Sequence, residues 1–204
     1  MFYKLNKAFT LIELLTVIAI IGILAAIIIP AVGAARVAAL KAKTKVQFNQ
    51  WAVALQMFKA EYGYFPAVNT GNKLNPQAFF AALTGKNSDG SAPANLFGNT
   101  KKFSFYSASD SEVSSTTNGD LSNGLLKDAF GNTDIAIFYD SNGDGKVDGS
   151  DTPAFASSPV TPVGGTAISP ATGKIDTTNG VRAGVIFYSA GKGSSSSDIV
   201  YSWQ

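Results

Sequence analysis

The sequence predicts an α+β protein in which one long N-terminal helix packs on a small antiparallel β-sheet. Three observations predict it. Residues 9–32 form an almost unbroken apolar run, FTLIELLTVIAIIGILAAIIIPAV. Apolar residues at spacings of three and four then carry the helical pattern on to Tyr62. Segments rich in Ile, Val, Phe and Tyr gather late in the chain, separated by long linkers, which favours an antiparallel sheet over a βαβ unit.

The apolar run comes first. It is long enough to cross a bilayer core, which takes about 20 apolar residues as a helix. A secretory signal peptide has an apolar core of only about 7–15 residues. Within the run stands one carboxylate, Glu13, close to its start. A charge at membrane depth costs about 3 kcal/mol or more, so it is a functional residue by default. A plain signal anchor with Glu13 at the headgroup level is the alternative that physics alone leaves open.

Beyond the run, Val37, Leu40, Thr44, Phe48, Trp51, Leu55, Phe58 and Tyr62 share one helical face. Lys and Gln residues fill the other side, and Gly63 and Pro66 stop the helix. One helix from near Phe9 to Tyr62 would span about 80 Å at 1.5 Å per residue. Its first half is expected in lipid and its second half against the sheet, with Phe48 and Trp51 as core anchors. Pro30 lies inside it and removes a backbone donor, at about 3 kcal/mol in a helix interior. Gly22 and Gly33 weaken it further.

After Pro66 the composition turns to Gly, Asn, Ser and Thr. Asn75-Pro76 followed by QAFFAALTG predicts a short helix capped by Asn75 and stopped by Gly85. Residues 86–98 and 109–124 read as loops. The alternation in residues 101–107 predicts a strand, and stronger strands are expected over 133–139, 181–188 and 198–203.

Residues 140–151, DSNGDGKVDGSD, match a twelve-residue calcium loop. Oxygen side chains fall at its first, third, fifth, ninth and twelfth positions, with glycine at the sixth for the sharp turn. Asp140, Asn142, Asp144 and Asp151 would supply side-chain oxygens, Lys146 its carbonyl, and Asp148 a direct or water-bridged one. The twelfth residue is Asp rather than Glu, and no flanking helices are expected. An acidic surface turn without metal is the alternative.

The whole chain bounds the chemistry. Its 204 residues carry a net charge of +2, with no Cys and no His. No disulfide can brace it, and catalysis by Ser-His or Cys-His is excluded, as are His-ligated metals. Basic residues do not interleave with aromatics, so nucleic acid is not expected as a partner. The aspartates and the three glutamates show no arrangement that points to a glycosidase pair.

The segment Ala8-Phe9-Thr10-Leu11-Ile12-Glu13-Leu14 resembles the prepilin cleavage and methylation motif of type IV pilins and type II secretion pseudopilins. The leader, Phe9, Glu13 and Pro30 all fall at the family's intervals, although Ala8 stands where the family usually has Gly. The resemblance implies a membrane peptidase that cuts between Ala8 and Phe9, followed by methylation of the new amine. It also implies that Glu13 pairs with the Phe9 amine of a neighbouring subunit. Three domains follow: a leader (1–8), a transmembrane assembly helix (9–33) and a globular head (34–204). The helix would sit in the lipid of an inner membrane, as a single pass, with the head in the periplasm of a Gram-negative-type bacterium. Arg36, Lys41, Lys43 and Lys45 outnumber Lys4 and Lys7, so the positive-inside rule alone would put the head in the cytoplasm. The family arrangement is the reverse and is the one expected.

Residues 127–132 (KDAFGN), 187–191 (FYSAG) and 198–203 (DIVYSW) further resemble segments of the major pseudopilins of type II secretion. In that family the loop before the last segment binds calcium. Here residues 191–197 carry a lysine and no acid, so Asp198 is the weaker metal ligand, and a plain Ser-rich turn is the alternative. The resemblance is good to Pro66, partial in the last strands and poor over 68–126. It implies a filament subunit that is not an enzyme. Its partners would be copies of itself, the prepilin peptidase, minor pseudopilins and an inner-membrane assembly platform. An adhesion or motility pilin, and a membrane-anchored carbohydrate-binding or enzymatic head, are the other functions weighed.

Overall fold

The computed structural model describes residues 10–114 and 125–204. The expected leader, with Ala8 and Phe9, lies outside the described residues, as does most of the loop expected over 109–124. The chain divides into two compact units, Met1–Ala39 and Leu40–Gln204.

In the first unit the described residues are Thr10 and the first part of helix α1, which runs Leu11–Tyr62 with Pro30 inside it. Its Leu, Ile and Val side chains from Leu11 to Val32 are exposed, as expected of a helix that meets lipid rather than protein, and Val37 is half-buried.

In the second unit the face of α1 carrying Phe48, Trp51, Leu55 and Phe58 is fully buried. It packs on the sheet as the spacing predicts. The sheet runs in the order β1 (Asn69–Thr70), β2 (Lys73–Leu74), β5 (Ile135–Tyr139), β6 (Val185–Ser189) and β7 (Val200–Tyr201). Every neighbouring pair is antiparallel. In the central pair Ile137 lies opposite Phe187. Alternate residues therefore serve two cores. Ile135, Ile137, Val185 and Phe187 meet α1 together with α2 (Pro76–Thr84). Ala136, Phe138, Ile186 and Tyr188 meet Val147, Phe155 and Val160 on the other face.

Helix α2 forms as the sequence predicts. The Asn75 side chain caps the Ala78 N–H at 3.2 Å, and Pro76 opens the first turn. Gly85 ends it at φ 68°, where an added Cβ would come within 3.2 Å of the Lys102 backbone. Glycine is thus required by conformation and by space.

Several expectations are corrected. Residues 101–107 form no strand: the N–H groups of Phe105 and Tyr106 both donate to the Leu83 carbonyl, so they join the end of α2 rather than a ladder. The hairpin of β1 and β2 and the two-stranded ribbon of β3 (Val113–Ser114) with β4 (Leu125–Leu126) were not expected. The last strand is shorter than 198–203, because Ser196–Asp198 forms a 3-10 turn before it. Residue 181 makes a single bridge to Val147 ahead of β6.

Candidate functional site

At the start of α1, Thr10 and Glu13 satisfy one another. The Thr10 N–H and hydroxyl donate to Glu13 Oε2 at 2.9 and 2.7 Å, and the Glu13 N–H reaches back to Thr10 Oγ1 at 3.3 Å. This is a capping box, in which two orphan donors of the first turn find acceptors. Glu13 is exposed and stands as the acid of the first turn. Its carboxylate is therefore held in a defined place at the head of an apolar rod. Phe9, whose amine in a neighbouring subunit is the partner that the resemblance implies for Glu13, lies outside the described residues.

The acidic loop has a wound backbone. Asp140 accepts the N–H groups of Gly143 and Gly145 at 2.6 and 3.1 Å. Asn142 Oδ1 accepts from Asp144 N–H, and Asp144 Oδ1 from Lys146 N–H, both at 3.0 Å. Asp151 closes the loop, accepting from the N–H groups of Ser141 at 2.8 Å and Asp148 at 2.7 Å. Val147 anchors the strand side of the loop through its bridge to Val181. Asp140, Asp148 and Asp151 are buried.

The Lys146 ammonium is ion-paired with Asp148 and lies 3.8 Å from Asp144. The hydrogen bond from Lys146, with help from Ser150, pulls the Asp148 carboxyl down to about 2. The donor set fits a hard cation in kind, being all oxygen and in the right order along the loop. Among the described residues, however, no three acidic side chains converge on one point. The structure assembles the turns of the loop and places a lysine among its acids.

Asp198 is occupied in a similar way. Its Oδ1 lies 3.8 Å from the Lys41 ammonium, and its Oδ2 accepts the Ser194 N–H at 3.0 Å. Lys41 also donates to the Ser197 carbonyl at 3.4 Å, and Lys45 to the carbonyl of Gln204. Two of the four cations that weigh on the positive-inside count are thus engaged with the C-terminal segment of the head.

A buried carboxylate that the sequence left without a role is Asp128. It accepts from the N–H groups of Phe130 and Asn132, from Asn132 Nδ2 and from the Ser189 hydroxyl. Burial pushes its carboxyl up against the pull of these donors. Asn132 Nδ2 also donates to the Gly191 carbonyl at 2.7 Å. On the other side, Thr44 and Gln47 of α1 bond the backbone of Ala129 and Lys127. The turn over 127–132 therefore ties α1, β6 and the loop after β6 together. Its signal in the sequence is an Asp followed three and four residues later by Gly and Asn, an Asx-turn pattern.

Residues 3–29 match the family described as the prokaryotic N-terminal methylation motif. No curated protein and no solved structure matches the chain. The match covers residues 3–8 of the expected leader and the first part of α1, including Glu13. It supports a type IV pilin-like family, and such a motif implies processing by a prepilin peptidase and assembly into pilus-like filaments. It points to a structural subunit rather than an enzyme, and together with one long apolar N-terminal helix it is consistent with a single-pass membrane anchor.

Proposed function

We propose, from the N-terminal methylation motif and the exposed apolar half of α1, that the chain is the major pseudopilin of a type II secretion system. Its copies build a short periplasmic filament through their N-terminal helices. The observation that carries the proposal is Glu13: the one acid of the apolar segment, in the motif, at the first turn of a helix whose large apolar side chains over residues 11–32 are exposed. Cleavage after Ala8 would free the Phe9 amine. In the single subunit Glu13 is satisfied by Thr10. Between packed helices it would meet the Phe9 ammonium of a neighbour, and each charge would compensate the other in a dry bundle. Removing one partner of such a pair costs about 3–5 kcal/mol, because the other charge is left uncompensated.

The segments over 127–132, 187–191 and 198–203, and the absence of cysteine for a pilin-type disulfide, support the secretion role over an adhesion pilin. The division follows: leader 1–8, membrane helix 9–33, periplasmic head 34–204, with minor pseudopilins and an inner-membrane platform as partners. We further propose that residues 140–151 take calcium, held by Asp140, Asn142, Asp144, Asp148, Asp151 and the Lys146 carbonyl. The turns already formed in the loop support this. Asp198, held by Lys41, is the lesser site.

Mass spectrometry of the N-terminus from membranes tests the processing directly. A mature chain beginning at methylated Phe9 is expected. A chain that keeps MFYKLNKA in cells containing the peptidase would contradict the proposal.

A further inference from the structure

The outer face of the sheet is covered by one segment, residues 152–181. Its Phe155, Val160, Ile168 and Ile175 pack with Phe138, Ile186, Tyr188 and Tyr201. Phe155 is the plug of this core. Its buried ring stands edge-on to Phe138, with centroids 5.2 Å apart, and to Trp203 at 6.0 Å. The segment adds no rung to the sheet. Among the described residues its backbone bonds run within it or to residues 147–149, and the sheet holds it through side chains.

Two fastenings hold the segment, one at each end of β5. Before β5, Asp134 Oδ2 accepts the Thr161 N–H at 2.8 Å and Asn132 Oδ1 accepts the Val163 N–H at 3.0 Å. The Tyr188 hydroxyl donates to the Ser158 carbonyl at 2.8 Å and accepts the Ser158 N–H at 2.9 Å. After β5, the loop over residues 140–151 grips both legs of the segment. On the outgoing leg, Ser141 Oγ accepts the Thr152 N–H at 2.7 Å and the Asp148 carbonyl accepts the Phe155 N–H at 2.9 Å. On the returning leg, the Gly149 N–H donates to the Thr177 carbonyl at 2.9 Å, and Val147 and Val181 exchange two bonds. Gly180 sits so near that an added Cβ would lie 2.7 Å from Asp148 Cβ. One carboxylate closes the loop and so carries both grips: Asp151, which accepts the N–H groups of Ser141 and Asp148.

We propose that residues 152–181 are a strap, hinged over 158–163 and latched by Asp151, and that calcium in the loop tightens the latch. The latch stands on the geometry above, and its control by calcium rests on the calcium reading of residues 140–151. Releasing the latch lifts Phe155 from Phe138 and Trp203 and bares an aromatic face of the sheet. The core between α1, α2 and the inner face stays closed. The two cores share only the strands, and the strap leaves without breaking a bond of the β5–β6 ladder. Local openings of this kind lie below global unfolding in free energy. Calcium draws oxygens from both ends of the loop, Asp140 and Asp151 among them, onto one ion. It therefore binds the latched state better than the open one, and the population follows that difference.

Hydrogen exchange of the full chain in detergent micelles, read by mass spectrometry, tests both parts. In Asp151→Ala the amides of Thr152, Phe155 and Val181 should exchange at least about tenfold faster, the scale of one lost hydrogen bond to a charged group. Those of α2 and of the β5–β6 pair should keep the wild-type rate. Ser141→Ala, at an exposed position, removes only its hydroxyl's bonds and should give a smaller change at the same amides. It decides the question if Asp151→Ala does not fold. The two tryptophans give a second readout, since Trp51 lies in the inner core and Trp203 against the outer one. Iodide should quench Trp203 more in Asp151→Ala and leave Trp51 shielded. Faster exchange spread equally over α2 and β5–β6 makes the molecule one cooperative unit and overturns the strap. Unchanged exchange over 152–181 in both variants overturns the latch. In the wild type, calcium should slow the same amides relative to chelator. Slowing confined to 140–151 overturns the control of the strap and leaves the calcium reading standing. No slowing anywhere, with the Asp151→Ala pattern intact, overturns the control and the calcium reading together and leaves the strap in place.

Discussion

The carboxylate of Asp128 accepts the Ser189 hydroxyl at 2.6 Å, joining the turn that braces α1 to the central strand β6, and both residues are buried. The same oxygen accepts Asn132 Nδ2 at 2.9 Å. Hydrogen bonds to a charged group contribute about 1.5–3 kcal/mol each. Ser189→Ala is therefore expected to destabilise the protein by about that amount. Urea unfolding of the full chain in detergent, followed by tryptophan fluorescence at neutral pH, would measure it.

The same carboxylate gives stability a pH dependence of known sign. Burial holds the folded-state pKa of Asp128 above the ordinary aspartate value. Between those two values the folded state binds the proton and the unfolded state releases it, so stability falls as pH rises through the window. Ser189→Ala removes a donor that opposes the shift, and the window should extend to higher pH. Unfolding midpoints for both proteins across mildly acidic pH would show the difference.

Trp51 is the anchor of the α1–sheet core. It is fully buried, touches Phe48, Phe79 and Phe187, and donates its N–H to Tyr106. Trp51→Ala should cost about 3–5 kcal/mol, as other large aromatic truncations do. Tyr106→Phe should cost about 1 kcal/mol through the orphaned indole N–H. Thermal unfolding of the two variants would rank them in that order.

Calcium should raise the melting temperature of the wild type, since a ligand of the folded state alone stabilises it once its concentration exceeds Kd. Lys146 competes for Asp148 and Asp144, so Lys146→Met should sharpen the response. Asp144→Ala should abolish it. A wild type that melts at the same temperature with calcium and with chelator would leave the loop a structural turn.

Much of this architecture is legible from periodicity. The stripe to Tyr62, the Asn75-Pro76 cap and the alternation through residues 135–139 and 185–189 each report a local rule that the fold obeys. The failures are non-local. Phe103, Phe105 and Tyr106 alternate like a strand, but their backbone is claimed by Leu83, which no pattern within the segment reveals. The second core was hidden because Val147, Phe155 and Val160 stand singly among turn residues, and only the outer face of the sheet gathers them. Asp128 looks like any turn aspartate until Ser189, distant in the chain, arrives beside it. Spacing named the oxygens of residues 140–151, yet it could not show that the Lys146 side chain turns back onto its own acids. At the N-terminus, Glu13 and its interval were plain, and Thr10 three residues before it already carries the spacing of the capping box that the structure closes.

The charge at Glu13 is the centre of the account, and its removal is the most direct measurement. Glu13→Ala, expressed with the prepilin peptidase and assembly platform, should still insert in the membrane and be processed at Phe9. Treated with a short bis-maleimide, its Ile20→Cys derivative should lose the cross-linked dimer that the Ile20→Cys chain with Glu13 intact gives, the one dimer that a single thiol per chain allows. A dimer of undiminished yield from the Glu13→Ala chain would show that copies associate without this acid and would contradict the account.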